Sequence, residues 1–315
     1  LHDALPIFTL RRYRLMTRVR AVPDPGRRPA SARYRGLMTR EWTQADTTGF
    51  LRVPAADDDK YSRGVVVLRT GSAVYPGAAV LGVEAAWRAG SGYVRYAGEA
   101  ADAVLARRPE TVVGSDLGRT RVDAWVIGSG TDSAHRSPDE HEALRRILAG
   151  TAPVVVDAGA LDLARGATAP CVLTPHAGEL ARLRAQLGLA SEEQPASGDE
   201  RIAEVVETAQ TLGSVVLCKG SRTILAAPDA EPILVSNGPG WLATAGTGDV
   251  LGGILGALLA ANPGQPLAET AAAASWLHGR AAAIASGSGD GAVGHPIVAL
   301  DVADALPLAI AELIA

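Results

Sequence analysis

The sequence predicts an α/β domain layered on a mainly parallel sheet, because short β-rich runs alternate with Ala-rich helical stretches from Gly64 onward. The runs carry the second observation. VVVL at 65–68, PVVVD at 153–157 and VVLC at 215–218 lack polar alternation, as expected for strands covered on both faces. The third observation is where such runs stop. Five pass directly into Thr70-Gly71-Ser72, Gly128-Ser129-Gly130, Asp157-Ala158-Gly159, Thr174-Pro175-His176 and Lys219-Gly220-Ser221. In open parallel sheets ligands bind beyond the carboxyl ends of the strands, so these five ends predict one continuous ligand rim.

In chain order, the apolar β-rich runs place strands at 64–69, 93–96, 123–127, 153–157, 171–174, 214–218, 223–226 and 233–235. The Ala-rich stretches between and after them place helices near 76–89, 99–107, 138–149, 179–186, 199–212, 247–260, 269–286 and 302–313. SEEQPASGD at 191–199 reads as a polar loop and SGSGDGAVG at 286–294 as a flexible one; neither is long enough to link domains. No internal repeat of 20–50 residues is visible.

A chain of 315 residues with 47% hydrophobic and 20% charged residues can bury a full core, which excludes disorder. The net charge of −4 offers no general attraction for nucleic acid or an anionic membrane. That charge is unevenly spread. Residues 1–37 hold nine Arg, no Lys and two Asp, a balance of +7 that leaves −11 for residues 38–315. The leader shows no core-forming period. Of a targeting peptide, a basic tail and read-through sequence upstream of a start at Met38, the last is preferred because it needs no function, which leaves residues 38–315 as a single domain. Cys171 and Cys218 lie in apolar runs and read as core thiols of a reducing compartment. The most apolar helix candidate, 250–261, is too short to span a bilayer, so a soluble, cytoplasmic protein is expected.

The most informative segment is NGPGWLATAGTGDVL at 237–251, where a loop with Gly246 and Gly248 meets a long apolar helix. Free backbone N–H groups and the positive end of the helix dipole there suit a phosphate. Asp249 is the exception: a carboxylate beside an anion site repels phosphate. It is either an N-terminal helix Asp or a general base that takes the proton of a hydroxyl attacking a terminal phosphoryl group. Lys219 stands at a strand end, where it meets a diphosphate or is an ordinary hairpin lysine, and Gly220 allows close backbone approach. His176 follows a Pro-fixed turn on the rim, whereas His278 in AAAASWLHGRAAA reads as a packed helix residue. His2, His135, His141 and His295 have no convergent partners, so no metal-ligand set is supported. Gly128-Ser129-Gly130 lacks the third Gly and the later acidic residue of a dinucleotide fingerprint, 71–78 lacks the GK[ST] of a P-loop, and Asp57-Asp58-Asp59 reads as a solvated run.

Taken in order, the segments resemble the ADP-dependent NAD(P)H-hydrate dehydratase family of the ribokinase-like superfamily. The resemblance covers about residues 60–312 and rests on the succession Gly71-Ser72…Gly77-Ala78-Ala79, Arg108-Pro109-Glu110, Ile127-Gly128-Ser129-Gly130, Val156-Asp157-Ala158-Gly159, Leu173-Thr174-Pro175-His176-Ala177-Gly178-Glu179, Lys219-Gly220…Thr223, Gly246-Thr247-Gly248-Asp249 and Leu277-His278-Gly279. It implies a three-layer α/β/α sandwich and ADP-dependent dehydration of the S epimer of hydrated NADH or NADPH, with release of AMP and phosphate. It also implies catalysis by Asp249, which lies at the substrate hydroxyl. The hydrated cofactor is then faced by Ala78, Gly130 and His176, and the adenine nucleotide by Lys219, Gly220, Ser221, Arg222 and Thr223 together with Gly246, Thr247 and Gly248. Magnesium (Mg2+) is expected with the diphosphate, held largely by phosphate and water. A homo-oligomer, as a tetramer, is implied as well. Because only about sixty residues precede the match, the epimerase domain of many members is expected to be absent and a separate epimerase to supply the substrate.

Three departures stand out: Arg69-Thr70 for Gly-Gly, Ala177 for the Pro common after His176, and Ala245 for the first Gly of Gly-Gly-Thr-Gly-Asp. An ATP-dependent thiazole or hydroxymethylpyrimidine kinase of the same superfamily would also need Gly246, Gly248 and Asp249; the His176 and Asp157-Ala158-Gly159 turns favour the dehydratase. A non-catalytic nucleotide-binding protein is a further reading. Deleting residues 1–37 is expected to leave turnover of hydrated cofactor unchanged in a steady-state assay, and lost turnover would contradict the read-through reading.

Overall fold

The computed structural model describes residues 37–190, 197–289 and 291–315. The Arg-rich leader, except Leu37, and residues 191–196 of the predicted polar loop lie outside the described residues. The strands are β1 (Arg40–Glu41), β2 (Val65–Arg69), β3 (Tyr93–Tyr96), β4 (Val112–Val113), β5 (Ala124–Ile127), β6 (Val154–Val156), β7 (Cys171–Leu173), β8 (Val215–Cys218), β9 (Thr223–Ala226) and β10 (Ile233–Val235). They form one sheet in the order β1-β10-β9-β8-β7-β6-β5-β2-β3-β4. β9 runs antiparallel to both neighbours, and every other adjacent pair is parallel. The mainly parallel three-layer sandwich expected from the sequence is therefore present.

The helices are α1 (Gln44–Thr48), α2 (Pro76–Arg88), α3 (Ala101–Arg107), α4 (Pro138–Leu148), α5 (Ala177–Gln186), α6 (Gly198–Leu212), α7 (Thr247–Ala261), α8 (Leu267–Ser286) and α9 (Ala299–Ile314). Their ends follow local chemistry. Pro138 opens α4 behind Ser137, whose hydroxyl accepts from the Glu140 amide, and Ser197 with Glu200 makes a capping box on α6. Two apolar layers cover the sheet. Leu251 and Ile254 of α7, Leu277 of α8 and Leu306 of α9 pack with Val66, Leu68 and Val126 on one face. Leu144 of α4, Leu180 of α5 and Val205 of α6 pack with Ile127, Val156 and Leu173 on the other. Successive residues of β5, Val126 and Ile127, thus serve opposite layers, which is why the runs read as unbroken apolar stretches.

The predicted strands and helices are all found, with ends shifted by a few residues at most. β1, β4 and α1 are additions. A two-residue edge strand has no period to read, and α1 is a single turn held by the Thr43–Asp46 capping box and by Trp42, whose indole N–H donates to Thr47 Oγ1 at 2.9 Å. Cys171 and Cys218 are buried free thiols, as expected, and burial pushes both up to about 11. Among the described residues no helix is long and apolar enough to cross a membrane.

The packing of α7 fixes the site. A methyl at Gly253 would collide with the Gly82 carbonyl oxygen of α2, and one at Gly256 with the side chain of Val126 on β5. Glycines on two sides let α7 lie unusually close to both α2 and the sheet. Gly253→Val should lower stability by about 1–3 kcal/mol, the usual range for overpacking a core, read from the denaturant midpoint. An unchanged midpoint would mean that the two helices are not in backbone contact.

Candidate active site

The five strand ends singled out in the sequence belong to β8, β7, β6, β5 and β2, which are consecutive in the sheet and mutually parallel. Their carboxyl ends therefore share one edge, and the first turn of α7 meets it. β8 delivers Lys219, whose amide donates to the Pro175 carbonyl at 2.8 Å, so the lysine lies beside the β7 turn. Its ammonium donates to Asp157 Oδ1 at 2.8 Å, and Glu179 Oε2 lies 3.9 Å away. Thr174 Oγ1 donates to the same Asp157 oxygen at 2.8 Å. Burial would lower the Lys219 pKa, but the charges of Asp157 and Glu179 outweigh it and hold the ammonium above its ordinary value.

Gly246 caps α7 from the left-handed region, with φ of 89°, and no side chain caps the helix start. The amides of Asp249 and Val250 close on the Gly246 carbonyl at 3.1 and 3.2 Å, while those of Thr247 and Gly248 have no acceptor within the helix. The Thr247 hydroxyl donates to Leu242 and Thr244 carbonyls and so ties down the preceding loop. A Cβ on Gly248 would stand 3.4 Å from Lys219 Nζ, which puts the cation at the helix mouth. Asp249 Oδ1 accepts a hydrogen bond from Ser129 Oγ just past the end of β5. Burial pushes the Asp249 carboxyl above the usual carboxylate range and the charge of Asp157 adds to this, while Ser129 and Lys219 oppose it.

A cavity of about 420 Å3 opens in front of Lys219 and is lined by Gly220, Ser221, Thr223, Thr247 and Gly248 among the predicted nucleotide contacts. Arg222 is not among its lining residues; it is exposed, and its guanidinium lies 3.7 Å from Glu41. Gly246 stands behind the lining as the helix cap. A second cavity, of about 480 Å3, lies over Gly71, Ser72, Tyr75 and Thr131. Ala78 and Gly130 meet beneath it: a Cβ on Gly130, at φ of 68°, would collide with Ala78 and stand 3.1 Å from Gly71 Cα. Arg69, the departure beside this loop, forms part of the wall; its guanidinium is held by Glu140 and donates to the Ala97 carbonyl at 2.8 Å. A third cavity, of about 320 Å3, shares Thr131 and Asp132 with the second and reaches Glu179 beside the first, so the rim is continuous.

His176 joins the first cavity, not the group around Ala78 and Gly130. Its Nδ1 accepts from the Gly178 and Glu179 amides at 3.1 and 3.4 Å, so the ring caps α5, and Glu179 returns the bond by accepting from the His176 amide at 2.8 Å. Nε2 remains on a half-exposed ring edge. Among the described residues no three His, Cys, Asp or Glu side chains cluster as a metal cage.

The model of the NAD(P)H-hydrate dehydratase family matches residues 65–292, which include the whole rim. The chain belongs to this family. A bifunctional NAD(P)H-hydrate repair enzyme, Nnr, of Mycobacterium leprae is 42% identical over 257 residues, covering 78% of this chain and 51% of the relative. An ADP-dependent (S)-NAD(P)H-hydrate dehydratase of Neisseria meningitidis is 39% identical over 247 residues, covering 72% and 79%. Among solved structures, the ADP/ATP-dependent NAD(P)H-hydrate dehydratase of Bacillus subtilis, co-crystallised with ATP and Mg2+, superposes with a TM-score of 0.75 at 25% identity, covering 89% of this chain and 99% of that one. The chain spans about half the length of the bifunctional relatives it matches.

Against this family background, sequence reasoning left out Ser129 and Asp157 as site residues. Their signal was present, since each occupies one of the five strand ends, but the partners lie 120 and 62 residues away. Because the Ser129 hydroxyl stabilises ionised Asp249, Ser129→Ala should raise the Asp249 pKa further. A reaction needing the carboxylate would then fail at higher pH as the solution is acidified. The expected result is an upward shift of the acidic limb of kcat, measured from pH–rate profiles; an unmoved limb would remove the serine from control of Asp249.

Proposed function

We propose that this chain restores NADH and NADPH from the S epimers of their hydrates, using ADP and releasing AMP and phosphate, and that residues 38–315 form the one domain that does so. The observation that carries this reading is that Asp249, which lines neither cavity itself, joins residues that stand beside both. Its helix neighbour Gly248 borders Lys219 and the first cavity, while its own carboxylate reaches Ser129 beside Gly130, Ala78 and the second. A diphosphate in the first cavity meets Lys219 and the free amides of Thr247 and Gly248. A hydrated nicotinamide ring entering from the second cavity brings its hydroxyl to Asp249.

Asp249 takes the hydroxyl proton as the oxygen attacks the terminal phosphorus, and the bond from that phosphorus to AMP breaks. The ring then carries a phosphate ester. Its C–O bond breaks with the electron pair leaving on phosphate, a proton is lost from the adjacent ring carbon, and the ring double bond returns. The raised pKa of Asp249 suits a base that must accept a proton, and Lys219 holds charge where phosphate leaves AMP.

The residues fit a magnesium ion brought by the nucleotide. Asp157 Oδ1 is already engaged by Lys219 and Thr174, so diphosphate oxygens and water would supply most of the ligands, with the other Asp157 oxygen facing the ion or its water shell. Such an ion would supply counter-charge to the transferred group. Two buried free thiols support a reducing compartment, and we place the reaction in the cytoplasm.

The test is incubation with the S epimer of hydrated NADH, ADP and magnesium while the absorbance of regenerated NADH is followed. Recovery is expected. A small-molecule kinase would give none and would phosphorylate an alcohol precursor of a vitamin with ATP instead. Asp249→Asn should lower the rate roughly a hundredfold or more, with ADP affinity retained; unchanged turnover would remove Asp249 from the chemistry.

A further inference from the structure

The first cavity holds a feature that phosphate binding leaves unused. Nε2 of His278 and Oδ1 of Asn237 are buried without any hydrogen-bond partner, and both residues line this cavity. Five such side-chain atoms occur among the described residues, and these two are the pair that shares a cavity. Buried polar atoms are nearly always paired, so an unpaired couple facing one space points to a ligand that supplies the partners.

Asn237 donates through Nδ2 to the Trp276 carbonyl of α8 at 2.8 Å, which fixes the amide and leaves Oδ1 as a pure acceptor. Gly279 makes this seat possible, because a Cβ there would stand 2.7 Å from Oδ1. His278 is 8% exposed, and burial pushes its imidazole down to about 4. The ring is therefore neutral at ordinary pH. It offers a hydrogen bond and no charge, unlike Lys219 across the cavity. Apolar Val235, Leu242 and Leu251 complete this part of the wall.

We propose that Asn237 and His278 read the uncharged nucleoside part of the bound nucleotide, with Asn237 Oδ1 accepting from an N–H or O–H group and His278 Nε2 pairing with a neighbouring polar atom. This rests on the reading that an adenine nucleotide occupies the cavity. The phosphates go to Lys219 and the start of α7, and specificity for the nucleoside comes from α8 and the loop after β10. Two parts of ADP present the required chemistry: the amino edge of the base and the ribose diol.

The experiment measures Kd for ADP, inosine 5′-diphosphate and 2′-deoxy-ADP by calorimetry, with wild type, Asn237→Ala, His278→Leu and His278→Gln. Wild type should bind ADP about tenfold or more tighter than one of the two analogues, and the disfavoured analogue identifies base or ribose as the group read. Asn237→Ala and His278→Leu should weaken ADP about tenfold and abolish that preference, raising KM for ADP more than they lower kcat. His278→Gln, which keeps a polar atom near Nε2, should restore part of the affinity. Equal binding of all three nucleotides by wild type would overturn the proposal, as would variants that keep the full preference. Thermal melting identifies a variant that fails to fold, in which case the analogue preference of wild type and His278→Gln decides. Failure of wild type to bind ADP at all would instead overturn the nucleotide reading of the cavity.

Discussion

The site depends on how closely α7 can lie against α2 and the sheet. Gly253 and Gly256 remove the side chains that would otherwise hold the helix off the Gly82 backbone and Val126. The helix start then reaches the edge where β5 and β8 end, and Asp249 and Gly248 fall beside Ser129 and Lys219 without any long loop to position them. A free carboxylate would be driven away from a phosphate bound at the same helix mouth. Rigid packing holds Asp249 there, and its burial together with the charge of Asp157 raises the carboxyl pKa.

Charge is organised on the same local scale. The chain carries a net charge of −4, so attraction for a diphosphate cannot come from its overall field. Lys219 supplies it from the rim, held beside Asp157, which Thr174 in turn orients. A half-buried cation paired with a carboxylate stays charged and fixed in direction. His278 behaves oppositely: deeper burial with no carboxylate partner keeps it neutral, so neighbouring walls of one cavity suit the charged and uncharged ends of a nucleotide.

The sheet was legible because a strand buried on both faces leaves an unbroken apolar run, and the rim because polar residues stop those runs at one edge. Edge strands β1 and β4 were not, since two residues hold no period. Lys219 and Asp249 could be read from their own surroundings: a strand end and a helix start. Ser129 could be placed on the rim in the same way, but not its bond to Asp249, and the roles of Asn237 and His278 could not be read. Their meaning comes from partners on other elements, and His278 in particular sits in an Ala-rich helix whose sequence looks like core. Arg222, attractive beside Lys219, turns to Glu41 on the edge strand β1, a contact that no local pattern encodes. Arg69 had no evident role in sequence and gains one from Glu140, 71 residues away.

The central claim is that Asp249 activates the substrate hydroxyl to attack phosphorus, so that the hydroxyl oxygen leaves as part of phosphate. Hydrated NADH labelled with heavy oxygen in the ring hydroxyl tests it directly. Mass spectrometry of the products should find the label in inorganic phosphate, with none in water or AMP. Label released to water would show that the hydroxyl departs without ever bonding to phosphorus, and would contradict the account.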